Sequence, residues 1–229
     1  DLSDNSLIAL ENASSTQTVN ASGNWWGSVD ETAVAAQTDG PTDFTPYLGA
    51  STDTDAGSVG FSGDFSSLHV TTLGQQVPTE NPASDGRVQE GIDRVLANGT
   101  VYVEPGTYPE AVTVPVPGVT LSGRTGTAVD AVLRSPAGHG LEITTDQVTI
   151  EHLQVTGEAN VTENAHGILW SSGSGTLQLT NLEVFQNTGV GILATTSDGH
   201  LRLNDVTIRD NANVGLSVTS GGNLSLQNV

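Results

Sequence analysis

The residues best suited to chemistry gather around one irregular stretch, Gly157–Asn164, which reads GEANVTEN. Glu151, His152, Glu158, Glu163 and His166 flank or fill it, and carboxylates beside imidazoles are the material of general acid–base work. Hydrolysis of a glycosidic bond demands more, two carboxyl groups held across one bond at a fixed separation, and no such pair can be placed here. Proton abstraction next to a substrate carboxylate needs a Lys or Arg base, or a calcium ion to neutralise the anion. The chain has no Lys; of its six Arg, Arg202 and Arg209 share one repeat but fall on different strands and read as surface residues. Asp53 and Asp55 could hold Ca2+, yet without a fixed loop or a bidentate Glu they read better as a solvated acidic loop. Trp25 and Trp26, in Asn20–Gly27 (NASGNWWG), suit either a sugar-stacking platform or a lid over an open apolar end, and the lid is the favoured reading.

The elements that would position these groups are written in a repeat. In Thr176–Val229, Leu177, Leu201 and Leu224 form one column, Leu179, Leu203 and Leu226 a second, and Leu182, Val206 and Val229 a third. Val148, Ile150, Leu153 and Val155 extend these columns backwards, while Leu141, Ile168, Ile192 and Leu216 form another, each directly after a Gly. Recurrence at a period of about 20–30 residues is the mark of a stacked coil. Alternation at period two within each repeat means strands, and three short strands per repeat between polar corners mean a triangular parallel coil. Asn5, Asn187 and Asn211 fall at one corner, where amides can stack and bond along the coil as scaffold rather than ligands. Gly157–Asn164 is then an insertion at a corner, where binding loops are commonly grown, although a merely tolerated insertion is the favoured reading.

Before the repeat, Val88, Ile92, Val95 and Leu96 make one apolar stripe, which predicts a helix capped by Ser84 or Asp85 and able to plug the first turn. It is followed by Gly99–Gly123, GTVYVEPGTYPEAVTVPVPGVTLSG. The columns, this helix and this segment resemble the right-handed parallel β-helix of the pectin-lyase-like superfamily, as found in bacterial and archaeal surface proteins. The resemblance implies an all-β, right-handed parallel β-helix with three strands per rung and a short N-terminal capping helix. It also implies a domain junction: one β-helix ends near Gly27 and another starts near Phe61. The superfamily includes polysaccharide lyases, hydrolases and epimerases, and Gly138-His139-Gly140 matches the Gly-His-Gly of its polygalacturonases. His139 shares a column with His166 and Val190, however, so the repeat accounts for that triplet without catalysis, and the hydrolases' paired-aspartate segments are missing.

The opening residues fit the closing ones. Placed after Val229, Leu2 falls under Ile208, Asn5 under Asn211 and Leu10 under Leu216, at the spacing that separates Val206 from Val229. The expectation is that 1–27 are terminal half-rungs completing 223–229 of an adjacent or the same copy. Residues 28–60 read as an acidic extended linker that Phe44, Pro46, Tyr47 and Leu48 tack to a neighbouring coil; residues 61–123 read as cap and first rung, and 124–229 as rungs.

Composition sets the outer limits. The formal charge of −20 comes from 26 acids against 6 bases, which excludes binding to nucleic acid or an anionic membrane by electrostatics. It suits a chain held in high salt, where screening removes self-repulsion, and so a halophile. No Cys is present, so neither disulfides nor thiolate metal sites contribute. Asn12, Asn20, Asn98, Asn160 and Asn223 begin N-x-S/T triplets, a number only modestly above chance that does not by itself indicate glycosylation. The resulting expectation is a non-catalytic structural or adhesive module of an extracellular, cell-surface filament or stalk, without cofactor, stacking head to tail on copies of itself and touching cell-surface glycans. The alternative is a lyase, epimerase or glycan-binding domain.

Overall fold

Alternation decides which side chains enter the core. In Thr176–Phe185, Leu177 and Leu179 are buried on one side of a kink at Asn181, and Leu182 and Val184 on the other; Gln178 faces water. A strand with that pattern needs like strands beside it, and the chain supplies them by returning to the same place. The computed structural model describes residues 1–14, 16–77, 86–157, 165–219 and 222–229.

The protein is all-β, with parallel strands stacked in long ladders and two short helices. The first ladder runs through Ser67–Val70, Thr100–Val103, Thr120–Gly123, Val148–Glu151, the first halves of Thr176–Phe185 and His200–Arg209, and Leu224–Gln227. The second joins Gly106–Tyr108, Ala131–Ser135, Gln154–Gly157 and the second halves of the two long strands. The third joins Val112–Val114, Leu141–Ile143, Ile168–Trp170, Ile192–Ala194 and Leu216–Val218. The registers are those of the sequence columns: Leu177 pairs with Leu201 and Leu201 with Leu224, while Ile168 pairs with Ile192 and Ile192 with Leu216. Inward residues of all three ladders make one continuous core. The glycine before each third-ladder strand is required by close approach, since a Cβ on Gly140, Gly167 or Gly191 would press on the backbone carbonyl of the next repeat's glycine.

Arg87–Arg94 (α2 below) closes one end of this core with Val88 and Ile92; Val95 follows them in, but Leu96 lies beyond the helix and is exposed, so the stripe is one residue shorter than expected. Ser84 and Asp85, the expected caps, lie outside the described residues. Gly86 stands at the helix start with no side-chain bond, and the work passes to Glu110, whose two carboxylate oxygens accept the N–H groups of Val88 (3.0 Å) and Gln89 (2.9 Å). A carboxylate there meets both the unpaired first-turn N–H groups and the positive helix end.

Residues 28–60 are not an extended linker throughout. Asp30 accepts the Ala33 N–H and starts a helix, Glu31–Ala35 (α1). Beyond it Thr38–Asp39 pairs with Leu10–Glu11, and Thr42–Asp43 with Val19–Asn20, both parallel. Ala21, Trp26, Val34, Phe44 and Tyr47 form a second, smaller core against which Leu2, Ala9 and Leu10 pack. Tyr47–Leu48 then joins this block to the main stack by antiparallel pairing with Leu68 and His69. Aromatic residues too sparse to show a period nonetheless bury enough apolar surface to order the segment. Leu2 and Leu10 therefore sit, within this molecule, at the end remote from Val229.

Candidate functional site

The cleft expected beside Gly157–Asn164 is only partly described, because Glu158 and Glu163 lie outside the described residues. Of the others, Glu151 accepts a hydrogen bond from the Ser122 hydroxyl (2.9 Å), and its Oε1 is 3.7 Å from His152 Nδ1. His166 is turned into the stack, nearly face to face with His139 at 4.8 Å, so the shared column explains both imidazoles. A hollow of ≈ 270 Å³ near the insertion is lined by Gly157, Gln186, Asn187, Thr188, Asp210 and Ala212. Its one carboxylate, Asp210, is held by Arg209 (2.7 Å), which also grips Glu183 (2.7 Å) and lies over the Phe185 ring. Paired acids facing one bond are not found there among the described residues.

Asp53 uses its carboxylate on its own loop, where Oδ1 accepts the N–H groups of Asp55 and Ser62, and no group of three or more metal-ligating side chains occurs among the described residues. The tryptophans part company. Trp25 packs against the main core, whereas Trp26, 1% exposed, lies edge-on to Phe44 in the smaller one. The indole of Trp26 has no face open to a sugar; together the two rings bridge the cores.

A polar centre that the sequence did not announce lies where the N-terminal block meets the stack. His69 and Glu104 are both buried and bonded, Nδ1 to Oε1, at 2.8 Å. His69 is sandwiched between the rings of Tyr47 (5.2 Å) and Tyr102 (4.9 Å), and the Tyr47 hydroxyl reaches toward Glu104 (3.5 Å). Burial and then the Glu104 charge hold the Tyr47 hydroxyl far above its usual titration range. Close by, Glu31 bonds the Thr71 hydroxyl, and burial raises its carboxyl despite that bond. His69 and Tyr102 occupy outward positions of regular strands, so alternation alone marks them as solvated. Their cover is Tyr47, from the segment without a repeat.

The two ends of the molecule complete the survey. Leu224–Gln227 and Leu216–Val218 are paired along one edge each, with His200–Arg209 and Ile192–Ala194. At the opposite end Leu2 donates its N–H to Trp25 and Leu10 to Gln37, again along one edge. Ten large apolar side chains are exposed among the described residues; Leu7, Ile8 and Val19 lie at one end and Val214, Leu224, Leu226 and Val229 at the other. The ends also share a backbone signature. The corner residues Gln186 and Asp210 are left-handed (φ 55° and 53°), and so is Asp4 (φ 61°). After each comes an asparagine. Asn187 Nδ2 donates to Phe185 O (3.1 Å) and Asn211 Oδ1 (2.9 Å), Asn211 Nδ2 donates to Val184 O (3.1 Å), and Asn5 Nδ2 donates to Ser3 O (3.3 Å) and Leu2 O (2.9 Å). Asn5 thus makes the same bond two residues back that Asn187 makes. No helix among the described residues is long and apolar enough to cross a membrane. No family model, no curated protein and no solved structure matches the chain.

Proposed function

We propose that the protein is a non-catalytic structural and adhesive module, a right-handed parallel β-helix with three strands per turn, which stacks head to tail on copies of itself in an extracellular, cell-surface filament. The observation that carries this reading is the corner at Asp4-Asn5, which has the left-handed residue of Gln186-Asn187 and Asp210-Asn211 and the side-chain bond of Asn187, although it belongs to a different part of the chain. Set beneath Asp210-Asn211 of another copy, it brings Leu2 under Ile208 and Leu10 under Leu216, and it covers both apolar edges. Unpaired edges of a stacked coil are costly and sticky, so they are capped or matched. The match here is a second copy.

Charge sets the conditions. Each copy carries −20, and the joint lays Asp4 beside Asp210 at one strand spacing, about 4.8 Å. Association therefore strengthens with added salt, the reverse of an ion-paired interface, as expected of a halophile's protein. Sedimentation velocity across a salt series tests this. The expected result is a shift from single copies to short rods as salt rises, abolished by Leu226→Asp or by Leu7→Asp. Single copies at every salt and protein concentration would overturn the reading.

A further inference from the structure

We propose that the stacked imidazoles of His139 and His166 are an acid-sensitive lock on the third ladder, holding adjacent repeats together only while both rings are neutral. At this position of the ladder the carbonyls do ordinary service: His166 O accepts the Gly140 N–H and Val190 O the Gly167 N–H. The N–H groups of His166 and Val190 point the other way, and imidazole nitrogens receive them. His166 N–H donates to His139 Nδ1 (3.0 Å), and Val190 N–H donates to His166 Nδ1 (3.0 Å).

An Nδ1 that accepts must carry a lone pair, so both rings are neutral with the proton on Nε2. Protonation puts an N–H on Nδ1 facing a backbone N–H, which removes the acceptor and sets donor against donor. It also charges two rings 4.8 Å apart and nearly parallel. Among the described residues the surroundings offer little relief; Glu158 and Glu163 lie outside them. On the other side of His139, just before the paired strand Val112–Val114, comes Glu110, whose carboxylate is committed to Val88 and Gln89. On the far side of His166 comes Val190, and from the neighbouring corner Asn187 and Thr188, none of them ionisable. Burial and the neighbouring imidazole accordingly hold His166 below the ordinary value of 6.5. A folded value below the unfolded one means that the lock is intact above the ordinary histidine range and is lost as pH falls through it. The same geometry argues against a metal on these rings, because metallation at Nε2 needs a proton on Nδ1.

The test is made on the intact chain labelled with 15N. Ring nitrogen shifts report the tautomer, and amide exchange at His166 and Val190 is followed from about pH 8 to about pH 5, corrected for intrinsic exchange. Leu141 and Ile168, whose N–H groups bond the carbonyls of Gly167 and Gly191, serve as controls. The expected result is Nε2–H on both rings and a loss of protection of about tenfold at the two amides in acid, relative to the controls. In His166→Gln the amide oxygen still accepts and cannot be protonated, so Val190 keeps its protection at both ends of the range. In His166→Val the protection of Val190 is low throughout. An Nδ1–H tautomer, or amide protection in the unsubstituted chain that does not change with pH, overturns the proposal even where a variant fails to fold.

Discussion

The two halves of the molecule solve the problem of buried polarity in opposite ways. Among the described residues, those up to Glu110 include four buried carboxylates, Asp43, Glu90, Glu104 and Glu110; beyond it the buried polar side chains are Ser122, Ser135, Thr156, His166, Asn187 and Thr196, with no acid among them. In the regular stack the strands' backbone groups pair with those of the next repeat, and side chains take over at the corners, as His139 and His166 do for the N–H groups of His166 and Val190. Where the winding must begin, helix ends and irregular strands leave backbone groups that the repeat cannot serve. Side chains serve them instead: Glu110 on α2, Asp43 on the N–H of Val77 (2.7 Å), and Arg87 on the carbonyls of Thr71, Leu73 and Gly74. Regular winding saves charge; interruption spends it.

The largest expected effect comes from leaving a buried polar group of the junction without its partner. Glu104→Ala leaves the His69 Nδ1 unpartnered between two tyrosines and opens a cavity there, at about 3–5 kcal/mol, read by chemical denaturation, with loss of protection first in the N-terminal block. A cost below about 1 kcal/mol would show that the centre is wet and would erase the contrast between the halves. The matching change in the stack is Leu179→Ala, fully buried, at about 2–5 kcal/mol with the loss centred on the later repeats. Next comes Asn211→Ala, which removes the acceptor of the Asn187 side chain and the donor to Val184 O, for about 1–2 kcal/mol.

A subtler prediction concerns pH. Burial raises the carboxyls of Asp43, Glu90 and Glu110 above their ordinary values of 3.8 and 4.5, so below neutrality the folded N-terminal half holds protons that the unfolded chain does not. Its stability therefore rises as pH falls toward those ordinary values. His166 runs the other way, since its value is held below 6.5 and the unfolded chain binds the proton first. Between 6.5 and 4.5 the two halves should thus move in opposite directions, visible as diverging amide protection at Val101 and Ile192 on acidification. A common direction would mean that the halves unfold as one unit. The smallest effect is that of Arg209→Ala, an exposed side chain with two acidic partners, whose loss moves the denaturation midpoint least of these variants and less still in high salt.

How far the sequence could be read follows the same division. Apolar pairs set one behind another gave the register of the first ladder from Val148 onward and of the third from Leu141 onward, because a slip of one would turn each pair out to water. Residues 30–48 escaped because their order depends on single aromatic residues meeting across the chain, and no local pattern records Trp26 against Phe44 or Tyr47 over His69. The polar centre was hidden for the same reason. Of the expected site residues, His166 kept its column but turned inward, Trp26 went into a core, Asn187 bonds Asn211, and Asn5 bonds Leu2 O and Ser3 O in the N-terminal block.

The carboxylate that finishes α2 belongs to a residue synthesised well after it. Eight residues of helix are too short to persist alone in water, and α2 lacks any side-chain cap of its own. A nascent chain halted before Glu110 would carry those residues as fluctuating coil. The plug at the base of the spring is therefore set from downstream: the first turns must close before the piece that seals them can harden.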